Sequence, residues 1–324
     1  MMCSISPSQH FLCETGHFST PPSSKNLLPL NTKKYHHHSF FFIFHFHFFF
    51  HIHQPQTKTK MSTHDSDNES GGGGELGLFS EPTDYYPPSP PPTTETYTTA
   101  TGEIITLHLV GHSPLEAHHL WNGSRVISQL FESTPTTTVQ NRTVCELGAG
   151  AGLPSLVASM LGASLVVCTD FPDPDLIATI QKNIDGCHLL PHDNDELNIV
   201  ADGFVWGASP STLLRHSPNG FDVLILADLL FRHSEHGNMI KTIRETLKRT
   251  REAKAYVVFC SYRPWLREKD LKFFDLCRED GFEVEQILEK KMDKKLFEED
   301  PGDEEILKTV TGWVVSWPEK EWVA

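Results

Sequence analysis

The run Glu146-Leu147-Gly148-Ala149-Gly150-Ala151-Gly152 constrains the fold more than any other stretch of the chain. It closes an apolar run, RTVCELGA (142–149), that has the length and composition of a buried strand. It opens onto PSLVASMLG (154–162), where Pro154 suits a first helical turn and Gly162 a helix stop. A strand that passes through a glycine turn into a helix is the setting in which α/β sheets hold nucleotides. Gly148 permits the tight turn off the strand, and Gly150 and Gly152 let the backbone approach a ligand closely.

The same alternation runs on from about residue 103. Strands are predicted at 103–111, 142–149, 164–171, 197–206, 221–231 and 253–262. Helices are predicted at 114–133, 154–162, 173–184, 234–252 and 266–281. Strands alternating with helices imply a parallel sheet covered on both faces. The last two strands, FEVEQILEK (282–290) and ILKTVTGWVVSW (306–317), have no crossover helix between them, so they form an antiparallel hairpin at the sheet's edge. The expected fold is α/β: a Rossmann-like seven-strand sheet, six strands parallel and one antiparallel edge strand, with helices on both faces. That sheet separates methyltransferases from dinucleotide-binding proteins.

The glycine spacing points the same way. A dinucleotide fingerprint is G-x-G-x-x-G and needs its third glycine at 153, where Leu153 stands. Here the third glycine is Gly152, and an acid, Glu146, lies two residues before the first. S-adenosylmethionine carries an α-amino group and no pyrophosphate, so Glu146 suits it and would repel a diphosphate. A dinucleotide and an unliganded glycine turn are the competing explanations. Asp170 ends the next strand, 22 residues after Gly148, where an acid accepts hydrogen bonds from ribose hydroxyls. Its alternative role, capping the following helix, is already served by Asp173 and Asp175. Trp206, followed by Gly207, ends a further strand and offers a flat apolar wall to adenine. A tryptophan there, like Trp121, also fits a core position.

The formal net charge is -15, and because residues 1–60 are basic, the remainder carries about -19. So acidic a body repels nucleic-acid phosphates and attracts basic partners. The seven cysteines include no Cys-x-x-Cys pair, so reduced thiols in a cytosolic protein are expected and no metal site is. Residues 1–60 contain HHHSFFFIFHFHFFFHIH (36–53), whose apolar part is too short and interrupted to span a bilayer. This segment is expected to be disordered, or to be translated upstream sequence with Met61 as the natural start. Residues 61–75 are expected to be a disordered linker ending in a glycine run, and 76–97 a proline-rich arm whose Tyr85 and Tyr86 are candidate substrate contacts. Residues 98–324 then form the methyltransferase domain.

The run CELGAGAGLPSLVASMLGASLVVCTDFPDPDLIATIQKNI, with LWNG, VWG and ADLLFRHSEH, resembles the protein methyltransferases related to the lysine methyltransferase family-21 group. Within that group the nearest resemblance is to fungal enzymes that methylate the N-terminal region of translation elongation factor 1-alpha; LFSEPTDYYPPSPPPT, RPWLREKDLKFF and the late TGW also match. The resemblance covers about residues 76–318. It implies that S-adenosylmethionine is held by Trp121, by Gly148, Ala149 and Gly150 with Gly152 beside them, by Asp170, by Trp206 and by Ala227. The D-x-x-F/Y motif maps to Asp228-Leu229-Leu230-Phe231. Asp228 is then the candidate catalytic residue, accepting a hydrogen bond from the substrate amine, and Phe231 a substrate-binding platform. Where the family commonly has Leu-Trp-Gly-His, this chain has Leu115-Glu116-Ala117-His118. The implied function is cytosolic, monomeric N-methylation of a basic protein, elongation factor 1-alpha, with no nucleic acid or membrane partner. Methylation of a small molecule of the nicotinamide type is the alternative. A dehydrogenase and a non-enzymatic binding protein are the other classes that the pattern admits.

Overall fold

The computed structural model describes residues 90–193 and 196–323. The segments 1–60 and 61–75 and most of the arm, with Tyr85 and Tyr86, lie outside the described residues.

The described chain opens with an antiparallel hairpin, β1 (Thr93–Thr98) and β2 (Ile104–Leu109). Next come α1 (Asn122–Ser133), the one-turn α2 (Pro135–Thr138), β3 (Thr143–Leu147), α3 (Leu153–Met160), β4 (Leu165–Asp170) and α4 (Pro174–Gly186). Two short paired strands, β5 (His192–Asp193) and β6 (Glu196–Leu197), precede β7 (Ile199–Gly203), the one-turn α5 (Ser211–Leu214) and β8 (Val223–Ala227). The chain continues through α6 (His236–Thr246), β9 (Lys254–Cys260), α7 (Arg267–Glu279), β10 (Glu283–Lys291), the short α8 (Glu304–Lys308) and β11 (Thr309–Ser316).

Seven strands form one sheet in the order β10-β11-β9-β8-β3-β4-β7. Six run parallel and β11 runs against them, as the sequence implied, but the strand expected at 103–111 is not among them: it pairs antiparallel with Thr93–Thr98 in the separate opening hairpin. The structure refines the expectation of an antiparallel edge strand. The closing hairpin forms the edge, but its antiparallel member β11 lies one place in, between β10 and β9.

Apolar alternation builds the two layers. On β8, Val223, Ile225 and Ala227 face one core cluster, and Leu224 and Leu226 face the other. On β9, Tyr256, Val258 and Cys260 join the first cluster, and Ala255, Val257 and Phe259 the second. Successive side chains of a strand point to opposite faces, so such unbroken apolar runs suit strands buried on both sides. The first face is covered by α1 (Val126, Ile127, Phe131), α3 (Leu153, Leu156, Val157) and α4 (Ile180, Ile184). The second is covered by α6 (Met239, Ile240, Ile243) and α7 (Phe273, Phe274, Cys277).

Three local differences from the expected pattern have physical causes. The helix expected over 114–133 begins only at Asn122, because Glu116 adopts φ 64°, a left-handed conformation that no helix continues. Residues 93–97, assigned by sequence to the proline-rich arm, lie in β1, where a threonine-rich stretch suits a strand. Tyr97 there is buried, and its hydroxyl donates to Glu132 Oε2 at 2.5 Å, which fastens the hairpin to α1. The helix expected over 234–252 stops at Thr246, whose carbonyl accepts from Phe221 N as the chain turns toward β9.

The chain proceeds from β3 outward to β4 and β7, then crosses back to place β8 on the other side of β3. The carboxyl ends of β3 and β8 therefore flank the point where strand order reverses, the crevice in which ligands of open α/β sheets bind. The glycine turn leaves β3 there, and the Asp228 turn leaves β8.

Candidate active site

The turn after β3 is left-handed at three positions, with φ 62° at Gly148, 57° at Gly150 and 78° at Gly152. Two of these glycines are also needed for space. A Cβ on Gly148 would lie 2.7 Å from Leu229 Cδ2 and 2.9 Å from Trp206 Cζ2. A Cβ on Gly152 would lie 3.0 Å from Cys168 Sγ. Trp206 and the D-x-x-F turn thus meet over Gly148, so the structure brings together three motifs spread from residue 148 to residue 231. Ala149 is buried and its amide donates to Thr169 O at 2.9 Å, which ties the turn to β4.

Asp170, at the end of β4, is 7% exposed. Its Oδ2 accepts from Gly150 N at 2.7 Å and its Oδ1 from Phe171 N at 2.6 Å. A carboxylate has about four lone-pair sites, so each oxygen keeps room for a hydroxyl donor such as a ribose. Burial raises the Asp170 pKa, against the pull of the Gly150 and Phe171 amides. Phe171 and Val205, each at a strand end beside this acid or beside Trp206, are 48% and 44% exposed. Neither residue stands out in the sequence pattern. The available signal was a lone large apolar residue next to a strand-end acid or tryptophan.

Glu146 is fully buried beneath the turn. Its Oε2 accepts from Ser155 N at 3.0 Å and from Ser155 Oγ at 2.5 Å, so it anchors the start of α3. Its Oε1 has no partner among the described residues. Burial pushes its pKa up to about 8, opposed by the Ser155 hydroxyl and amide.

Asp228 is 6% exposed and holds φ 54°, a rare conformation for a residue with a side chain and one that concentrates at functional sites. Its carboxylate does not stand free toward a substrate. Oδ2 accepts from Gly123 N in the first turn of α1 at 2.5 Å, and Oδ1 accepts from Cys260 N at the end of β9 at 2.9 Å. Burial lifts its pKa to about 7, against the Cys260, Gly123 and Ser124 amides. Ala227, just before it, is buried. Phe231 is half-buried at the end of the same turn, and its carbonyl accepts from Arg263 Nη2 at 2.7 Å.

Trp121 stands immediately before α1, and its indole N–H donates to Glu116 O at 2.9 Å. It packs in an aromatic group with Tyr262 (ring centroids 4.8 Å apart), His119 (5.4 Å) and Phe297 (5.7 Å). The Tyr262 hydroxyl accepts from Asn122 N at 3.2 Å. Ala117, in the loop that departs from the family's Leu-Trp-Gly-His, lies beside the glycine turn, with its carbonyl 3.8 Å from the Cβ position of Gly150. A cavity of about 1030 Å³ opens beyond this loop, lined in part by His118, His119, Asn122, Met292 and Phe297.

With this geometry in place, the comparisons decide the class. A family model described as lysine methyltransferase matches residues 111–280. The chain belongs to the lysine methyltransferase family. A protein N-terminal and lysine N-methyltransferase, efm7 of Neurospora crassa, is 63% identical over 249 residues, covering 75% of this chain and 88% of the relative. The corresponding protein of Gibberella zeae is 57% identical over 249 residues, covering 74% and 94%. That of Schizosaccharomyces pombe is 38% identical over 251 residues, covering 75% and 96%. The protein is an S-adenosylmethionine-dependent protein methyltransferase, and the small-molecule alternative gives way. The site's chemistry fits the cofactor: a glycine turn open at Gly150, where a Cβ would meet nothing nearer than Ala117 O at 3.8 Å, a carboxylate at Asp170 with free lone pairs, and an orphaned buried oxygen on Glu146. Among the described residues no helix is long and apolar enough to cross a membrane.

The raised acids make stability depend on pH. A carboxyl whose folded pKa lies above its unfolded one stabilises the fold fully below the unfolded pKa, and that contribution is lost as pH rises through the folded pKa. For Glu146 the window runs from its ordinary 4.5 to about 8. Without cofactor, the protein's urea midpoint should therefore fall from pH 5 to pH 8. Glu146→Gln keeps both Ser155 bonds and cannot ionise, so its decline should be shallower; equal slopes would refute the assignment. Asp170→Ala should weaken cofactor binding in calorimetry by about 1–3 kcal/mol, and unchanged affinity would exclude the ribose role.

Proposed function

We propose that this methyltransferase acts in the cytosol as a monomer, methylating the N-terminal amine, an adjacent lysine, or both, of translation elongation factor 1-alpha. The carrying observation is the convergence, at one point of the sheet, of a glycine turn clamped by Asp170 and a D-x-x-F turn locked to the start of α1. The acceptor class is supported by the activity named for the Neurospora and Gibberella relatives. A net charge of -15 favours encounter with a basic segment.

In this proposal Asp170 receives the ribose hydroxyls, Trp206 with Phe171 and Val205 flanks the base, and Glu146 sets the start of α3 beneath the amino-acid end. Ala149, Gly150 and Gly152 shape the turn, while Trp121 and Ala227 border the sulfonium side. When bound, S-adenosylmethionine supplies an electrophilic methyl group. The protein's own part is to hold an amine, its lone pair freed of the proton, within about 3–3.5 Å and in line. Phe231 forms the apolar wall beside that amine, and Tyr85 and Tyr86 extend the acceptor contact. Asp228 contributes as a positioning residue. By holding Gly123 and Cys260 it fixes Trp121 and the ends of β8 and β9 around the transfer point.

Incubating the full chain with isotopically labelled S-adenosylmethionine and unmodified elongation factor 1-alpha should place label in the acceptor's N-terminal peptide, read by mass spectrometry. Label only elsewhere would defeat the proposal. Asp228→Ala leaves two buried amides unpaired, so it should lower stability by about 2–4 kcal/mol and reduce turnover together. Loss of turnover with an unchanged melting temperature would return Asp228 to a directly chemical role.

A further inference from the structure

The turn between β9 and α7 exposes a tryptophan: Trp265, in Pro264–Leu266, is 61% accessible. A tryptophan carries a large apolar surface, and exposed aromatic anchors of this kind dominate protein interfaces when a partner covers them. The turn is tied to the active edge. Arg263, two residues earlier, spends its guanidinium on the Phe231 carbonyl.

A second feature abuts this turn. Residues 298–305, Glu-Glu-Asp-Pro-Gly-Asp-Glu-Glu, hold six acids and no base. Gly302 packs on the Pro264 ring, where a Cβ would come within 3.0 Å of Pro264 Cγ. Phe297, just before the acidic run, packs against Trp121 and Tyr262. Glu304 and Glu305 pair with Lys308 and Lys291. Glu298 and Glu299 are exposed and form no ion pair among the described residues. Arg267, on the other side of Trp265, shares a small pocket with Glu289 and Glu305. Beside the site there is thus an exposed apolar residue on a turn against which Gly302 packs, and the loop that carries Gly302 holds two unpaired exposed carboxylates, Glu298 and Glu299.

We propose that Trp265 and the exposed acids Glu298 and Glu299 form the docking surface for the body of a basic acceptor protein, gripping it outside the residue that is methylated. This rests on the protein-acceptor assignment above. Charge selects the occupant. Lysine and arginine side chains satisfy the carboxylates and can stack on the indole, whereas a second copy of this chain, at net -15, or an anionic lipid surface is repelled.

The test is steady-state methylation by the full chain of intact elongation factor 1-alpha and of a short synthetic peptide carrying only its N-terminal residues. Trp265→Ala and the double variant Glu298→Lys, Glu299→Lys should each raise KM for the intact acceptor by about tenfold or more. They should leave kcat, cofactor affinity, melting temperature and the KM for the short peptide unchanged. The wild-type KM should rise with salt, and that of the charge-reversed variant less so. Unchanged KM for the intact acceptor in both variants overturns the docking surface alone. An equal loss on the short peptide overturns it by placing Trp265 at the transfer point. Wild-type self-association that Trp265→Ala abolishes assigns the surface to a second copy and also overturns it. Absence of any transfer by the wild type to either acceptor refutes the acceptor assignment itself, and the surface as a dock for that protein falls with it.

Discussion

A buried carboxylate that accepts backbone N–H groups from two other elements holds the active edge together. Asp228 ends β8, yet its oxygens are bound to Gly123 at the start of α1 and Cys260 at the end of β9. Taking an unpaired carboxylate out of water costs several kcal/mol. The cost is offset here because each oxygen meets an amide that would otherwise be an orphan. The first N–H groups of a helix have no partner within it, and their partial positive charge favours an anion. One side chain therefore satisfies a helix terminus, closes a strand end and sets the position of Trp121. The left-handed φ of Asp228 lets its carboxylate turn back under the edge.

The same device recurs along the sheet's carboxyl end. Asp170 ends β4 and holds the Gly150 amide; Glu146, near the end of β3, holds Ser155 in the first turn of α3. Three buried acids on neighbouring strands give this edge carboxyl groups whose ionisation burial resists and a cationic ligand favours. That arrangement is matched to a cofactor bearing a cationic centre and an amino group, and mismatched to a diphosphate. It also explains why burial, rather than hydrogen bonding, dominates the pKa of each acid: they are shielded from water and lie close enough for Asp170 to raise the Glu146 pKa further. Neutralisation by a cationic ligand is the natural complement to such an arrangement.

Much of this was legible in the sequence because it rests on local pattern. The alternation of apolar runs produced the strands, and the spacing of Gly148, Gly150 and Gly152 after Glu146 located the turn. What local pattern could not carry was partnership across the fold. Asp228 appeared as a free acid at a strand end, since nothing in DLLF reveals that Gly123, 105 residues earlier, will donate to it. Thr93–Thr98 was hidden by the prolines before it, because a strand needs its partner, here Ile104–Leu109, to be distinguished from an extended arm. The helix expected from residue 114 failed on one backbone conformation, at Glu116, which apolar spacing does not encode. Phe171 and Val205 escaped notice because exposure belongs to the fold and not to the residue.

Exposure at the strand ends also shows how the edge divides its work. In a core, large apolar residues are covered, so those left in water at strand ends mark places where something else completes the packing. Phe171 and Val205 lie at the ends of β4 and β7, on one side of the strand-order reversal, and Trp265 follows β9 on the other side. The rigid acids lie between them. A sheet that switches winding direction between β3 and β8 thus separates two apolar surfaces by a row of buried carboxyl groups, which is the division that the proposed function needs: a nucleoside on one side and a polypeptide on the other, without shared contacts.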